Sequence, residues 1–176
     1  MSYQLCTDTP EAVTLILPPA RYNTSMSTVK HSVLFVCVGN ACRSPIAEAI
    51  ARQIAPEIIA ASSAGLYPLG HLPDATEKTL IANGYSIEGL ASKPLLRVDM
   101  ENADLIVNMS GQPLRELLDN GDTTGDHTLA QKIENWHVED PYGADPVIYQ
   151  RILEELESRI LLLASRLRSL ERAASS

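Results

Sequence analysis

Cys37, Arg43 and Ser44 lie in the run Val33-Leu34-Phe35-Val36-Cys37-Val38-Gly39-Asn40-Ala41-Cys42-Arg43-Ser44-Pro45, and their types and spacing suit nucleophilic chemistry on an oxyanion. A thiolate is a strong nucleophile. The residues between Cys37 and Arg43 are numerous enough to wrap a half-circle of backbone amides around a tetrahedral anion, with the arginine closing the ring. The planar guanidinium of Arg43 can grip two oxygens of a phosphate at once. Gly39 and Asn40 tolerate positive φ, which lets the N–H groups of Val38, Gly39, Asn40, Ala41 and Cys42 turn inward. The flanking elements that must hold this loop are also legible. The apolar run ahead of it, rich in β-branched and aromatic types, reads as a strand, and Pro45 opens an alanine-rich helix that starts within a residue of Ser44. The thiol then sits at a strand end on the positive end of a helix dipole, a field that favours the thiolate. Cys37 as an ordinary packed core thiol would leave Gly39, Asn40, Arg43 and Ser44 unexplained. A zinc site fails on ligand count, since Cys37 and Cys42 have no downstream cysteine or paired histidine to complete it.

Cys-x5-Arg-Ser at a strand-to-helix turn resembles the phosphate loop of the cysteine-dependent phosphatases, and the string Cys37 to Ser44 is similar to that of the low-molecular-weight protein tyrosine phosphatases. The resemblance implies that Ser44 stabilises the thiolate when it leaves and that Asn40 holds the loop backbone. It also makes Ser63, in Ser63-Ala64-Gly65, the serine that supports the loop, although as a residue type it reads equally as a turn serine. Family members often carry a histidine that buttresses the loop, where this chain has Leu90.

A second constellation is Glu139-Asp140-Pro141-Tyr142-Gly143. Expelling an alkoxide or phenoxide from phosphorus calls for a proton donor, and Asp140 on a loop is the candidate. Its string resembles the family's Asp-Pro loop. Glu139 is the decoy, and His71, His127 and His137 lie in polar stretches as surface histidines do. The mechanism implied is two-step covalent catalysis: Cys37 attacks, Arg43 and the amides hold the phosphate, Asp140 acts as acid and then as base, and inorganic phosphate leaves with no metal or cofactor required. The resemblance implies a phosphorylated protein as substrate. Tyrosine-directed relatives tend to carry a bulky aliphatic residue in place of Ala41 and two aromatics after Asp-Pro, whereas arginine-directed ones carry threonine and then an aromatic and glycine. Ala41 matches neither and Tyr142-Gly143 leans to the second group, while Tyr142 could still stack on a phenyl ring. Phosphotyrosine is the first expectation and phosphoarginine the alternative. An arsenate reductase would need a further cysteine after Cys42, and a silent phosphate-binding module would not need Cys37, Arg43 and Asp140 together. Cys42 is expected to guard Cys37 by capturing its sulfenic acid as a disulfide.

The rest of the chain supplies the frame. Its 176 residues suit one domain, expected over 29–172, with 1–28 as an extension and 173–176 as a tail. The net charge of −8 argues against nucleic acid and anionic membranes as partners, and no apolar run is long enough to span a bilayer. Cysteine usage is not that of a secreted disulfide framework, so a reducing cytoplasm fits. The first 28 residues lack the basic start and apolar length of a signal peptide. Periodicity predicts a helix from Pro45 to about Ala55 ended by Pro56, a strand over Ile58–Ser62 with Ser63-Ala64-Gly65 turning out of it, and a helix capped by Asp74 and running to Ala82. A short helical stretch after Leu96, a buried strand over Asp104–Met109 and a helix over Gln112–Leu118 follow. Then come a loop over Asn120–Thr128, a weak strand over Gln131–Trp136 and a long amphipathic helix over Val147–Leu170. Strands alternating with helices mean βαβ units. The expected fold is a single-domain α/β three-layer sandwich, with helices on both faces of a four-stranded parallel sheet in the order 2-1-3-4, an order the resemblance also implies. Ligands in such sheets bind at the carboxyl ends of the strands, where the Cys37 loop emerges.

Overall fold

A computed structural model describes residues 30–114 and 126–174. The four strands are β1 (His31–Cys37), β2 (Ile59–Gly65), β3 (Leu105–Asn108) and β4 (Ile133–Asn135), and they form one parallel sheet in the order β2-β1-β3-β4. The helices are α1 (Arg43–Ile54), α2 (Asp74–Ala82), α3 (Arg97–Asn102), α4 (Asp126–Gln131) and α5 (Pro146–Ala174).

The period-2 alternation of β1 builds two cores. Val33, Phe35 and Cys37 point to one face, where Ile46 and Ile50 of α1, Leu80 of α2 and Ile152, Leu156 and Ile160 of α5 cover them. Leu34 and Val36 point to the other, under Met100 of α3 and Leu129 of α4. β1 is therefore covered on both faces, as parallel strands require, and the expected three layers are present.

Several boundaries differ from expectation for identifiable reasons. Ser63, Ala64 and Gly65 do not turn out of β2 but complete it, pairing with Phe35, Val36 and Cys37. Asp74 is not the cap of α2: it is the first helical residue, after Pro73, and pairs with Lys78 one turn on. There its charge faces the positive helix end. α4 begins at Asp126, inside the span expected to be loop, and the strand expected over Gln131–Trp136 is three residues long. α5 runs four residues past Leu170. The extension over 1–28 and most of the helix expected at 112–118 lie outside the described residues. Among the described residues, no helix is long and apolar enough to cross a membrane.

Candidate active site

Five buried residues bring β1 to Cys37, and the chain then reverses into α1 through residues 38–42. Asn40 makes the reversal possible with φ 43°, the left-handed conformation. Gly39, expected to share that conformation, does not adopt it. The loop carbonyls are claimed from outside. Leu66, Tyr67 and Leu69 amides donate to the carbonyls of Cys37 (3.2 Å), Val38 (2.8 Å) and Gly39 (2.9 Å), and the Thr76 hydroxyl donates to that of Ala41 (2.9 Å). Among the described residues, no protein acceptor takes the N–H groups of residues 38–42. Cys42, the N-cap of α1, gives the helix no side-chain cap, so its positive end also stays open.

A buried polar chain supports the loop. The Asn40 Nδ2 donates to Ser44 Oγ (2.9 Å) and Ser63 Oγ (2.8 Å), and Asn40 Oδ1 accepts from the Lys93 amide (2.8 Å). Ser44 Oγ lies 3.0 Å from Cys37 Sγ. Ser63 in turn donates to the buried Glu48 at 2.5 Å. Gly65 is where β2 passes the loop most closely: a Cβ there would stand 2.7 Å from both the Cβ and the N of Asn40. Leu90 is partly buried and packs against the core.

Arg43 is 6% exposed. It donates through Nη1 to the carbonyls of Met109 (2.7 Å) and Val138 (3.3 Å) and through Nη2 to Asp140 Oδ2 (2.5 Å). Its Nε, also buried, has no acceptor. Asp140 is half-exposed, and its second oxygen accepts from the Tyr142 amide. The nucleophile candidate and the acid candidate, more than a hundred residues apart in sequence, thus line one cavity of about 210 Å³, together with Arg43, Ala41, Cys42 and three side chains at its mouth, Tyr67, Leu69 and Tyr142. Burial pushes the Cys42 thiol up from its ordinary range; its Sγ lies 3.5 Å from the Tyr149 hydroxyl. Both thiols are free. Glu139 faces away in an ion pair with Arg151, and His71 and His137 are exposed.

The sequence model of the family described as low molecular weight phosphotyrosine protein phosphatase matches residues 32–173. The chain belongs to this family. The low molecular weight protein-tyrosine-phosphatase Etp of Escherichia coli K12 is 33% identical over 131 residues, covering 72% of this chain and 88% of the relative. The protein-arginine-phosphatase of Bacillus subtilis is 32% identical over 145 residues, covering 77% and 96%. The solved low molecular weight protein tyrosine phosphatase from T. tengcongensis superposes with a TM-score of 0.66 at 30% identity, covering 78% of this chain and 99% of that one. Sequence reasoning missed five members of the site, Glu48, Thr76, the Lys93 amide, Tyr67 and Leu69. Glu48 reads as one polar position of an amphipathic helix, though its place one turn after Ser44 on the same face was a usable signal. Thr76 and the Lys93 amide act through loop-distant contacts that no spacing reveals. Tyr67, two residues past Gly65, could have been found as an aromatic just beyond a strand end.

Proposed function

We propose that this phosphatase hydrolyses phosphotyrosine in proteins through a phosphocysteine intermediate. The observation that carries the reading is the ring of unclaimed N–H groups around one thiol: the amides of residues 38–42 and the buried Arg43 Nε, beside Cys37. Buried donors left unpaired are costly, and the equatorial oxygens of a phosphoryl group would satisfy them together. Cys37 Sγ attacks phosphorus while Asp140 protonates the departing phenoxide. Water then attacks the phosphocysteine, Asp140 takes its proton, and the thiolate leaves as inorganic phosphate forms. The Ser44 hydroxyl stabilises that thiolate, and Asn40 and Ser63 hold the loop. Arg43 and the amides neutralise the transferred group.

Exposed Tyr67 and Tyr142 at the mouth suit a flat aryl ring, which can stack or meet them edge-on. A second reading, phosphoarginine, is favoured by glycine rather than a second aromatic at 143. An arsenate reductase would need another thiol, and the sequence has none after Cys42. Residues 29–172 form the catalytic domain in this reading, in agreement with the family match over 32–173. A reducing cytoplasm would keep both thiols free. The test is kcat/KM on one peptide carrying phosphotyrosine or phosphoarginine at the same position. A higher value for phosphotyrosine is expected, a higher value for phosphoarginine replaces the substrate, and turnover of neither removes the activity.

A further inference from the structure

Glu48 lies one helical turn beyond Ser44 on α1 and is 2% exposed. A carboxylate withdrawn from water destabilises the fold unless it is both hydrogen-bonded and paired, and Glu48 is both, through different oxygens. Oε1 forms an ion pair with Arg52 one turn further along, and Oε2 accepts from Ser63. The consequence runs to the nucleophile. With its only proton given to Glu48, Ser63 Oγ is left to accept from Asn40 Nδ2. The other Nδ2 hydrogen then goes to Ser44 Oγ. With that oxygen occupied as an acceptor, the Ser44 proton points to Cys37 Sγ at 3.0 Å, the nearer partner, the Ala64 carbonyl being 3.4 Å away.

We propose that Glu48 is a positioning residue for the nucleophile: by taking the Ser63 proton it keeps Ser63 an acceptor for Asn40, and so holds the amide that aims the Ser44 hydroxyl at Cys37 Sγ. Arg52 is the counter-charge that favours the ionised form of Glu48 in this role. The proposal rests on Cys37 being the nucleophile. Glu48 touches neither substrate nor the reacting atoms. Burial raises its carboxyl above the usual range, and Ser63 on β2, Arg52 on its own helix and Lys93 on the chain ahead of α3 offset part of that rise. Arg52 is 41% exposed and borders a surface depression with Gln53, Ser86 and Glu88, so a cation at the surface supports a buried link to the thiol.

The test is the rate of Cys37 alkylation by iodoacetamide as a function of pH, read by mass spectrometry on the Cys37 peptide. Glu48→Gln keeps the volume, but Arg52 will draw the amide oxygen to itself, so Nε2, a donor, faces Ser63 Oγ where an acceptor is needed. The midpoint of the profile is expected to rise by about one pH unit, which is about tenfold slower alkylation below it. A pure charge effect has the opposite sign, because removing an anion favours a thiolate, and a merely structural role leaves the midpoint unmoved. A midpoint that falls or stays overturns the proposal. Arg52→Gln, at a half-exposed site, should raise the midpoint in the same direction, and Arg52→Lys should restore it. An Arg52→Gln protein with the wild-type midpoint overturns the proposal even where Glu48→Gln does not fold. Alkylation reads the thiol without turnover, so absent peptide hydrolysis would refute the activity and leave this result standing.

Discussion

Gly65→Ala adds one methyl group at the contact between β2 and the loop over residues 38–42. Its backbone is in an ordinary region, so alanine brings no conformational strain and the cost is steric alone. The new Cβ would lie 2.7 Å from the Cβ and N of Asn40 and 3.0 Å from the Val38 carbonyl oxygen. Carbon contacts relax only near 3.5–4.0 Å, so one side must move by roughly 1 Å. Neither moves freely. Asn40 is fully buried and tied to Ser44, Ser63 and the Lys93 amide. Gly65 is tied through its N–H to the Lys93 carbonyl (3.0 Å) and through its own carbonyl to the Leu95 amide (2.8 Å). The substitution therefore belongs at the upper end of overpacking, about 2–3 kcal/mol. For a chain of this length each kcal/mol lowers Tm by about 2–4 °C, a total of about 4–12 °C. Displaced amides should also lower kcat/KM on a phosphotyrosine peptide by about 10- to 100-fold. Thermal unfolding by circular dichroism and steady-state kinetics on the same preparation check both. An alanine variant with Tm within about 1 °C and kcat/KM within about twofold of wild type would refute the close-packing argument.

Asp140→Ala should slow aryl phosphates with poor leaving groups more than activated ones, since only the former need a proton in the transition state; equal slowing across a leaving-group series would remove Asp140 as the acid. Arg43→Lys should weaken competitive inhibition by inorganic phosphate at least tenfold, because a point charge cannot replace the planar fork; an unchanged inhibition constant would move the anion site elsewhere. Cys42→Ser should leave turnover near wild type but lose most of the activity that dithiothreitol restores after peroxide, and equal recovery in both proteins would exclude a guard. Asp104 accepts the Ser32 amide and hydroxyl, both at 2.8 Å, and these bonds hold its carboxyl below the usual value of 3.8. A carboxyl lowered in the folded state contributes stability above its unfolded pKa and loses it as pH falls through the folded one. Asp104→Asn should therefore cost about 0.5 kcal/mol at pH 7 for this exposed group, and the difference from wild type in urea unfolding should shrink as pH falls from 7 through the lowered pKa of Asp104.

The parts of the molecule that were legible in sequence are those in which local pattern and tertiary role coincide. The β-branched run before Cys37 is a strand because both its faces are covered, and Pro45 sits in the first turn of α1, where its missing N–H costs nothing. Asp140 was legible because Asp-Pro-Tyr-Gly stands between the last strand and the last helix. Illegibility begins where one residue serves two elements. Ser63 has the composition of a turn but pairs with Phe35, since the hydroxyl it must offer Asn40 lies under the loop rather than at the surface. Asp74 resembles a cap but lies inside the helix, because Pro73 already closes the entry. Glu48 looks like a surface position until Ser63 and Arg52 are seen to enclose it.

The buried polar groups show what the site demands of the fold. Among the described residues they are Asn40, Arg43, Ser44, Glu48, Ser63, Thr76 and Asn108, and every one except Asn108 holds the loop around Cys37. A core selected for stability alone would not concentrate them, because a satisfied buried hydrogen bond gains only about 1 kcal/mol and an unsatisfied one costs about 1–3. They sit together because each fixes the loop at a different point: Asn40 at its left-handed turn, Thr76 at the Ala41 carbonyl, Ser44 at the thiol. Apolar replacement of both partners of one buried hydrogen bond should therefore cost less than the single losses summed, since neither is left facing a missing partner across that bond. Ser63→Ala with Glu48→Leu is the direct case. The pair should unfold at a higher temperature than Ser63→Ala alone, which strands the Glu48 Oε2 without its donor, and yet should be slower in turnover than wild type. A double variant less stable than the single one would mean that the ion pair with Arg52, rather than the hydrogen-bond chain, is what the fold needs at this position.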